Sequence, residues 1–190
     1  GNAITPTVTV KDGETTLTLA TTADDTGDYS IAYSNNTNAA KSTDETAPTV
    51  TITGKGNYTG TASKTFTINP MAVATATISL SDATLTYNGA AQHPTISSIE
   101  GNNSEGSTLE FTSSAYTVSY EQNDNTLTAD DVKDAGGYTL AAIFGGNYSG
   151  TSTTTFNIAA KDLSDAATIA TIPDQTYTGN EIKPEPAVSI

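Results

Sequence analysis

Gly54 to Thr61 read Gly-Lys-Gly-Asn-Tyr-Thr-Gly-Thr, a glycine-rich stretch of the kind whose backbone N–H groups can cradle a phosphate. Phe144 to Thr151 repeat it almost letter for letter as Phe-Gly-Gly-Asn-Tyr-Ser-Gly-Thr. A phosphate loop must open a helix, because the helix dipole and its free N–H groups face the anion. Here Thr61 to Ile68 and Thr151 to Ile158 follow, and both alternate polar with apolar residues as strands do. The glycines therefore suit a tight hairpin, with Gly56-Asn57 and Gly146-Asn147 at the positions that tolerate positive φ. Tyr58 and Tyr148 beside them are the best-placed aromatics for stacking on a sugar ring, with packing at a sheet edge as the competing use.

Other reactive groups are sparse. His93 is the sole histidine, and there is no cysteine. All seven basic residues are lysines, so no guanidinium can clamp an oxyanion or phosphate. Paired carboxylates stand at Asp24-Asp25, Asp44-Glu45 and Asp130-Asp131, each in a loop-like context without the apolar surroundings a general acid needs. Asp124, Asn125, Asp130 and Asp131 offer clustered oxygens that could hold calcium, a hard cation, although their spacing is not that of an EF-hand. A lysine–asparagine cross-link would need a lysine common to the repeats described below, and Lys55 and Lys64 give way there to Gly145 and Thr154. Glycosylation sequons occur at Asn35, Asn57, Asn102 and Asn147, as they readily do in a chain this rich in Thr and Ser. These readings predict no enzyme and no cofactor other than calcium.

The elements that would hold these groups come in copies. Asn57, Phe66 and Tyr87 return as Asn147, Phe156 and Tyr177, a constant spacing of 90 residues. Asp28 to Asn36 match Ala115 to Asn123, and Gly1 to Pro6 recur at Gly89 to Pro94 and Gly179 to Pro184. Such a period is too long for a solenoid coil and suits a small domain strung in tandem. The copies divide as residues 1–70, lacking their opening strands; 71–160, complete; and 161–190, the opening strands of a third. Cut out of phase in this way, the chain reads as a window on a longer array.

Within a copy, alternation places Tyr29, Ile31 and Tyr33 on one strand face, and likewise Tyr116, Val118 and Tyr120. Val50 with Ile52, and Tyr138 with Leu140, Ala142 and Phe144, form further inward rows; Phe66, Ile68, Phe156 and Ile158 close the set. Thr fills roughly a fifth of the chain, which favours strands. The expected fold is all-β, an antiparallel β-sandwich, with a single helical turn between Thr128 and Gly137 capped by Thr128 or Asp130. A net charge of -14 argues against nucleic acid and against an anionic membrane surface, and no apolar run is long enough to span a bilayer.

Taken together, Thr49 to Ile68, Asp28 to Asn36 and Thr176 to Ile190 resemble the MBG-type immunoglobulin-like repeats of bacterial surface adhesins. The resemblance implies tandem immunoglobulin-like sandwiches acting as a non-enzymatic stalk or adhesion module, secreted or at the bacterial cell surface. It departs from the family in its long segments Thr18 to Tyr29, Asn36 to Pro48 and Tyr120 to Tyr138. These loops supply the alternative expectation, a module that binds a host or matrix protein or glycan. The spare opening strands in residues 161–178, with Ile169, Ile172 and Tyr177, predict packing on a sheet edge, either of the same chain or head-to-tail with another copy.

Overall fold

A computed structural model of the chain describes residues 1–22, 26–73, 75–102 and 106–189. The fold is all-β, as the alternation predicts. The strands are β1 (Lys11–Asp12), β2 (Thr15–Thr16), β3 (Tyr29–Ser34), β4 (Thr49–Gly54), β5 (Thr61–Thr65), β6 (Met71–Ala72), β7 (Ala76–Leu80) and β8 (Thr84–Thr86). They continue as β9 (Ile96–Asn102), β10 (Thr108–Glu110), β11 (Tyr116–Gln122), β12 (Asn125–Leu127), β13 (Gly136–Phe144), β14 (Tyr148–Ala159), β15 (Thr168–Ile169) and β16 (Val188–Ser189). Among the described residues, helical structure is confined to α1 (Leu163–Ala166) and 3-10 turns at Ser113–Ala115 and Ala129–Asp131. The sheets run β3-β4-β5, β10-β9-β7 and β12-β11-β13-β14, with β6 and β8 both lying parallel to β14 on its outer edge. Two compact units result: Gly1–Ile78 with Ser98–Val118 and Ala141–Thr153, and Ser79–Ser97 with Ser119–Leu140 and Thr154–Ile190.

In the first unit, β3 and β4 pair antiparallel with Ile31 opposite Ile52 and Tyr33 opposite Val50, so the predicted inward rows meet across the ladder. Tyr29 and Val50 are buried. The Tyr33 ring meets the Phe66 ring edge-on, with centroids 6.4 Å apart. Ile68, beyond β5, exchanges backbone hydrogen bonds with Ala40, which draws the Asn36–Pro48 segment onto the same sheet. A second cluster gathers Ile99, Phe111 and Phe144 out of water; Phe111 lies 4.7 Å from Phe144 and meets Tyr148 edge-on at 5.1 Å. Gly101 is glycine because a Cβ there would press on the Phe111 ring and the Thr75 carbonyl.

In the second unit, Tyr138 stacks on Phe156 at 5.2 Å and Tyr120 meets the same ring edge-on at 6.2 Å. Val132, Leu140 and Ile158 are wholly buried around them. β8 runs beside the end of β14, with Thr84, Leu85 and Thr86 opposite Asn157, Ile158 and Ala159.

Three expectations need correction. Val118 is exposed, not inward: β12 covers β11 only from Tyr120 to Gln122 and leaves the preceding part of the strand uncovered on that side. Tyr120 to Tyr138 is not a long loop, because β12 turns back on β11 within it. Among the described residues the tail pairs with no other sheet of its own chain: β15 pairs with β16, and Ile169, Ile172 and Tyr177 are exposed. The predicted helical turn is present, with Thr128 at its N-cap.

Candidate functional site

Both glycine-rich stretches fold as hairpin turns. Gly56 and Gly146 have φ of 64° and 65°, the first central position of a type II′ turn, where glycine alone is unstrained. The turns close through the Tyr58 N–H donating to the Lys55 carbonyl at 3.0 Å and the Tyr148 N–H donating to the Gly145 carbonyl at 3.2 Å. A strand and not a helix follows each turn, β5 after the first and β14 after the second.

What the second hairpin holds is protein. Asn147 Oδ1 accepts the Ala39 N–H at 2.7 Å, and its Nδ2 donates to Asn38 Oδ1 at 3.0 Å. The Asn147 carbonyl takes the Met71 N–H at 2.9 Å. One side chain thus fastens the segment after β3 to the start of β14, and its backbone anchors β6. Sequence reasoning missed Asn38, Ala39 and Asn147 as a group. The recurrence of Asn at 57 and 147 is the signal, and by itself it marks only a turn residue and a sequon.

Tyr58 is half-buried, and its hydroxyl donates to Asp12 Oδ2 at 3.3 Å. Burial and the Asp12 carboxylate, with Asp28 nearby, push the Tyr58 hydroxyl above the ordinary phenol value. An open cleft of about 260 Å³ lies beside it, lined by Val10, Leu17, Tyr29, Ile52 and Gly60 among others. Tyr148 is half-buried at the start of β14, its ring perpendicular to that of Phe111 at 5.1 Å, so part of the ring is already packed against protein.

The acidic segment after β11 is ordered by its own chain. Asn123 and Asp124 have φ of 51° and 63°, the left-handed pair of a type I′ hairpin, and Asn125 opens β12. Asp131 turns back on the 3-10 turn, where its Oδ2 accepts the Thr128 hydroxyl at 2.6 Å and the Thr128 N–H at 3.4 Å. Those bonds hold its carboxyl below the ordinary aspartate value. Asp130 is exposed on the same turn. β12 separates Asp124 from this pair, and among the described residues no three His, Cys, Asp or Glu side chains group as metal ligands. The calcium set of Asp124, Asp130 and Asp131 is therefore not assembled. A shallow hollow of about 280 Å³ lies beside the hairpin, lined by Asn123, Asp124, Tyr138 and Thr155.

Among the remaining candidates, Asp44 accepts the Lys41 N–H at 2.7 Å inside its own turn, and Glu45 is exposed next to it. Asp24 and Asp25 lie outside the described residues. Exposed His93 has its ring 5.1 Å from that of Tyr120 and belongs to no group of three ligating side chains among the described residues. No helix among the described residues is long and apolar enough to cross a membrane.

Comparison of the chain with protein-family models, with curated proteins and with solved structures finds no match in any of the three.

Proposed function

We propose that the chain is a non-enzymatic stalk or adhesion segment built from tandem immunoglobulin-like sandwiches, of the kind found on bacterial surfaces and in secreted adhesins. The observation that carries this reading is that one glycine turn is built twice, with Gly56 and Gly146 at φ of 64° and 65° in phrases spaced 90 residues apart. A second support is the ring pair common to the copies. Tyr33 meets Phe66 at 6.4 Å and 86°, and their counterparts Tyr120 and Phe156 meet at 6.2 Å and 87°. A net charge of -14 favours solubility of such a segment.

The alternative is a recognition module using the hollow beside Asn123 and Asp124 for a host or matrix protein or glycan. A glycan and extracellular-matrix array decides between them, run with the intact chain beside a variant in which Asn123 to Asp131 is replaced by a short Gly-Ser turn. The stalk reading expects silence from both. Saturable binding lost in the variant replaces it with the recognition module, with that hairpin as its site.

A further inference from the structure

The two copies of the last strand differ on one edge. β14 carries β6 beside its start and β8 beside its end, both parallel. In the first copy the same stretch, β5 and on through Asn69, has β4 on one side and no strand on the other among the described residues, and all five residues of β5 are exposed. The glycines report the same vacancy. A Cβ at Gly150 would strike the Val73 carbonyl at 2.6 Å, whereas a Cβ at the matching Gly60 meets nothing within 4 Å. Beside Gly60 the apolar cleft of about 260 Å³, with Val10, Leu17 and Ile52, stands open. An unpaired row of backbone donors and acceptors is a template for another strand.

The chain also carries the counterpart of that strand: residues 174–176 lie in no strand among the described residues, and the two-residue β15 before them is paired only with β16. Thr176-Tyr177-Thr178-Gly179 repeat Thr86-Tyr87-Asn88-Gly89. Tyr177 is 88% exposed against 39% for Tyr87, and Ile169 is 62% exposed against 7% for Ile78 in the matching Ala-Thr-Ile phrase. Leu163, ninety residues after Val73, is exposed at the start of the single-turn helix α1.

We infer that residues 161–178 of one copy of this chain complete the bare β5 edge of a second copy, head-to-tail. The strand lies parallel, as β8 does on β14. Moving the β8 register by one repeat sets Asp174 beside Thr67 and Thr176 beside Asn69. Leu163 then enters the cleft beside Gly60, and α1 unwinds to let it. A four-residue helix resists that little. The inference rests on the repeat correspondence and not on the stalk role, so the outcome of a binding array leaves it intact.

Single-cysteine variants of a chain that has no cysteine of its own give a direct test. Paired residues in neighbouring strands lie about 5 Å apart, within reach of a disulfide. Asn69→Cys and Thr176→Cys proteins, mixed at equal concentration and oxidised, are expected to give heterodimer on the order of tenfold above a Thr61→Cys plus Thr176→Cys control. Light scattering on the unmodified chain is expected to show mass rising with concentration. Gln175→Pro, which removes a ladder donor from an exposed and otherwise unpaired segment, is expected to abolish that rise. Equal yields from the two mixtures overturn the inference. So does a double variant, Asn69→Cys with Thr176→Cys, that closes within a monomer.

Discussion

Residues 1–70 and 71–160 carry the same phrases, yet the second copy holds them far more tightly. Phe156 is 3% exposed and lies between Tyr120 and Tyr138, whereas Phe66 is half-buried with Tyr33 as its ring partner. β14 runs for twelve residues with strands along both edges, and β5 for five with one edge bare. The same local sequence therefore makes the same strand and turn, while burial depends on which other strands arrive. Alternation sets which face is apolar; neighbours set whether that face is dry.

The largest expected effect tests that difference. Truncating a buried Phe costs about 3–5 kcal/mol, from lost transfer energy and the cavity left behind. Phe156→Ala is expected to reach that range, and Phe66→Ala to cost roughly half of it, because its ring already touches water. Urea unfolding followed by tyrosine fluorescence measures both. Equal losses would mean that the first copy is as well packed in solution as the second.

A smaller contrast comes from the paired glycines. Gly60 and Gly150 have φ of 87° and 118°, so alanine is strained at both, by about 1–2 kcal/mol. At Gly150 the added methyl also meets the Val73 backbone, and β6 must move. Gly150→Ala is expected to exceed Gly60→Ala in thermal destabilisation and to speed amide exchange at Met71 and Val73. Matched losses, with those amides still protected, would show that β6 does not press on β14.

Much of this was legible in the residues. The inward row Tyr138, Leu140, Ala142 and Phe144 is buried throughout, since β13 lies within the sheet and its alternation is unbroken. The glycine turns and the Thr128 cap also follow from local chemistry alone. Val118 was misplaced because alternation assigns a side without saying where the covering layer ends. β12 was hidden because Asn123-Asp124 carries no glycine, and an acidic run reads as a loop until its left-handed pair is seen. The Asn147 joint was out of reach for a different reason: Asn38 is 109 residues away, and no local pattern records such a pairing.

That joint supplies the next contrast. The segment after the first Tyr-rich strand serves Asn147 in one copy and builds β12 in the other. Asn147→Ala removes two exposed hydrogen bonds, each contributing about 0.5–1.5 kcal/mol, and the lower end applies where water competes. The expected loss in global stability is modest, but the Ala39 amide should lose its protection from exchange. Asn57→Ala, in the hairpin of the first copy, is expected to leave the Ala39 amide unchanged. A protected Ala39 amide in Asn147→Ala would assign the joint to backbone packing.

The smallest effect lies in the acidic segment, where the second copy spends its extra residues. Asp131 takes two hydrogen bonds from Thr128, and both favour its ionised form. Its folded value therefore lies below its unfolded one. The stability that this contributes is present above the ordinary aspartate range and is lost as pH falls through the folded value. Thr128→Ala removes the hydroxyl donor, the larger of the two causes. The Asp131 carboxyl resonance, followed by NMR through an acid titration, is then expected to move its midpoint up towards the ordinary value. Because Asp131 faces solvent, the stability difference is slight, and the midpoint is the sensitive readout. An unmoved midpoint would mean that Thr128 does not organise the turn, leaving the β11–β12 hairpin to hold this segment in place.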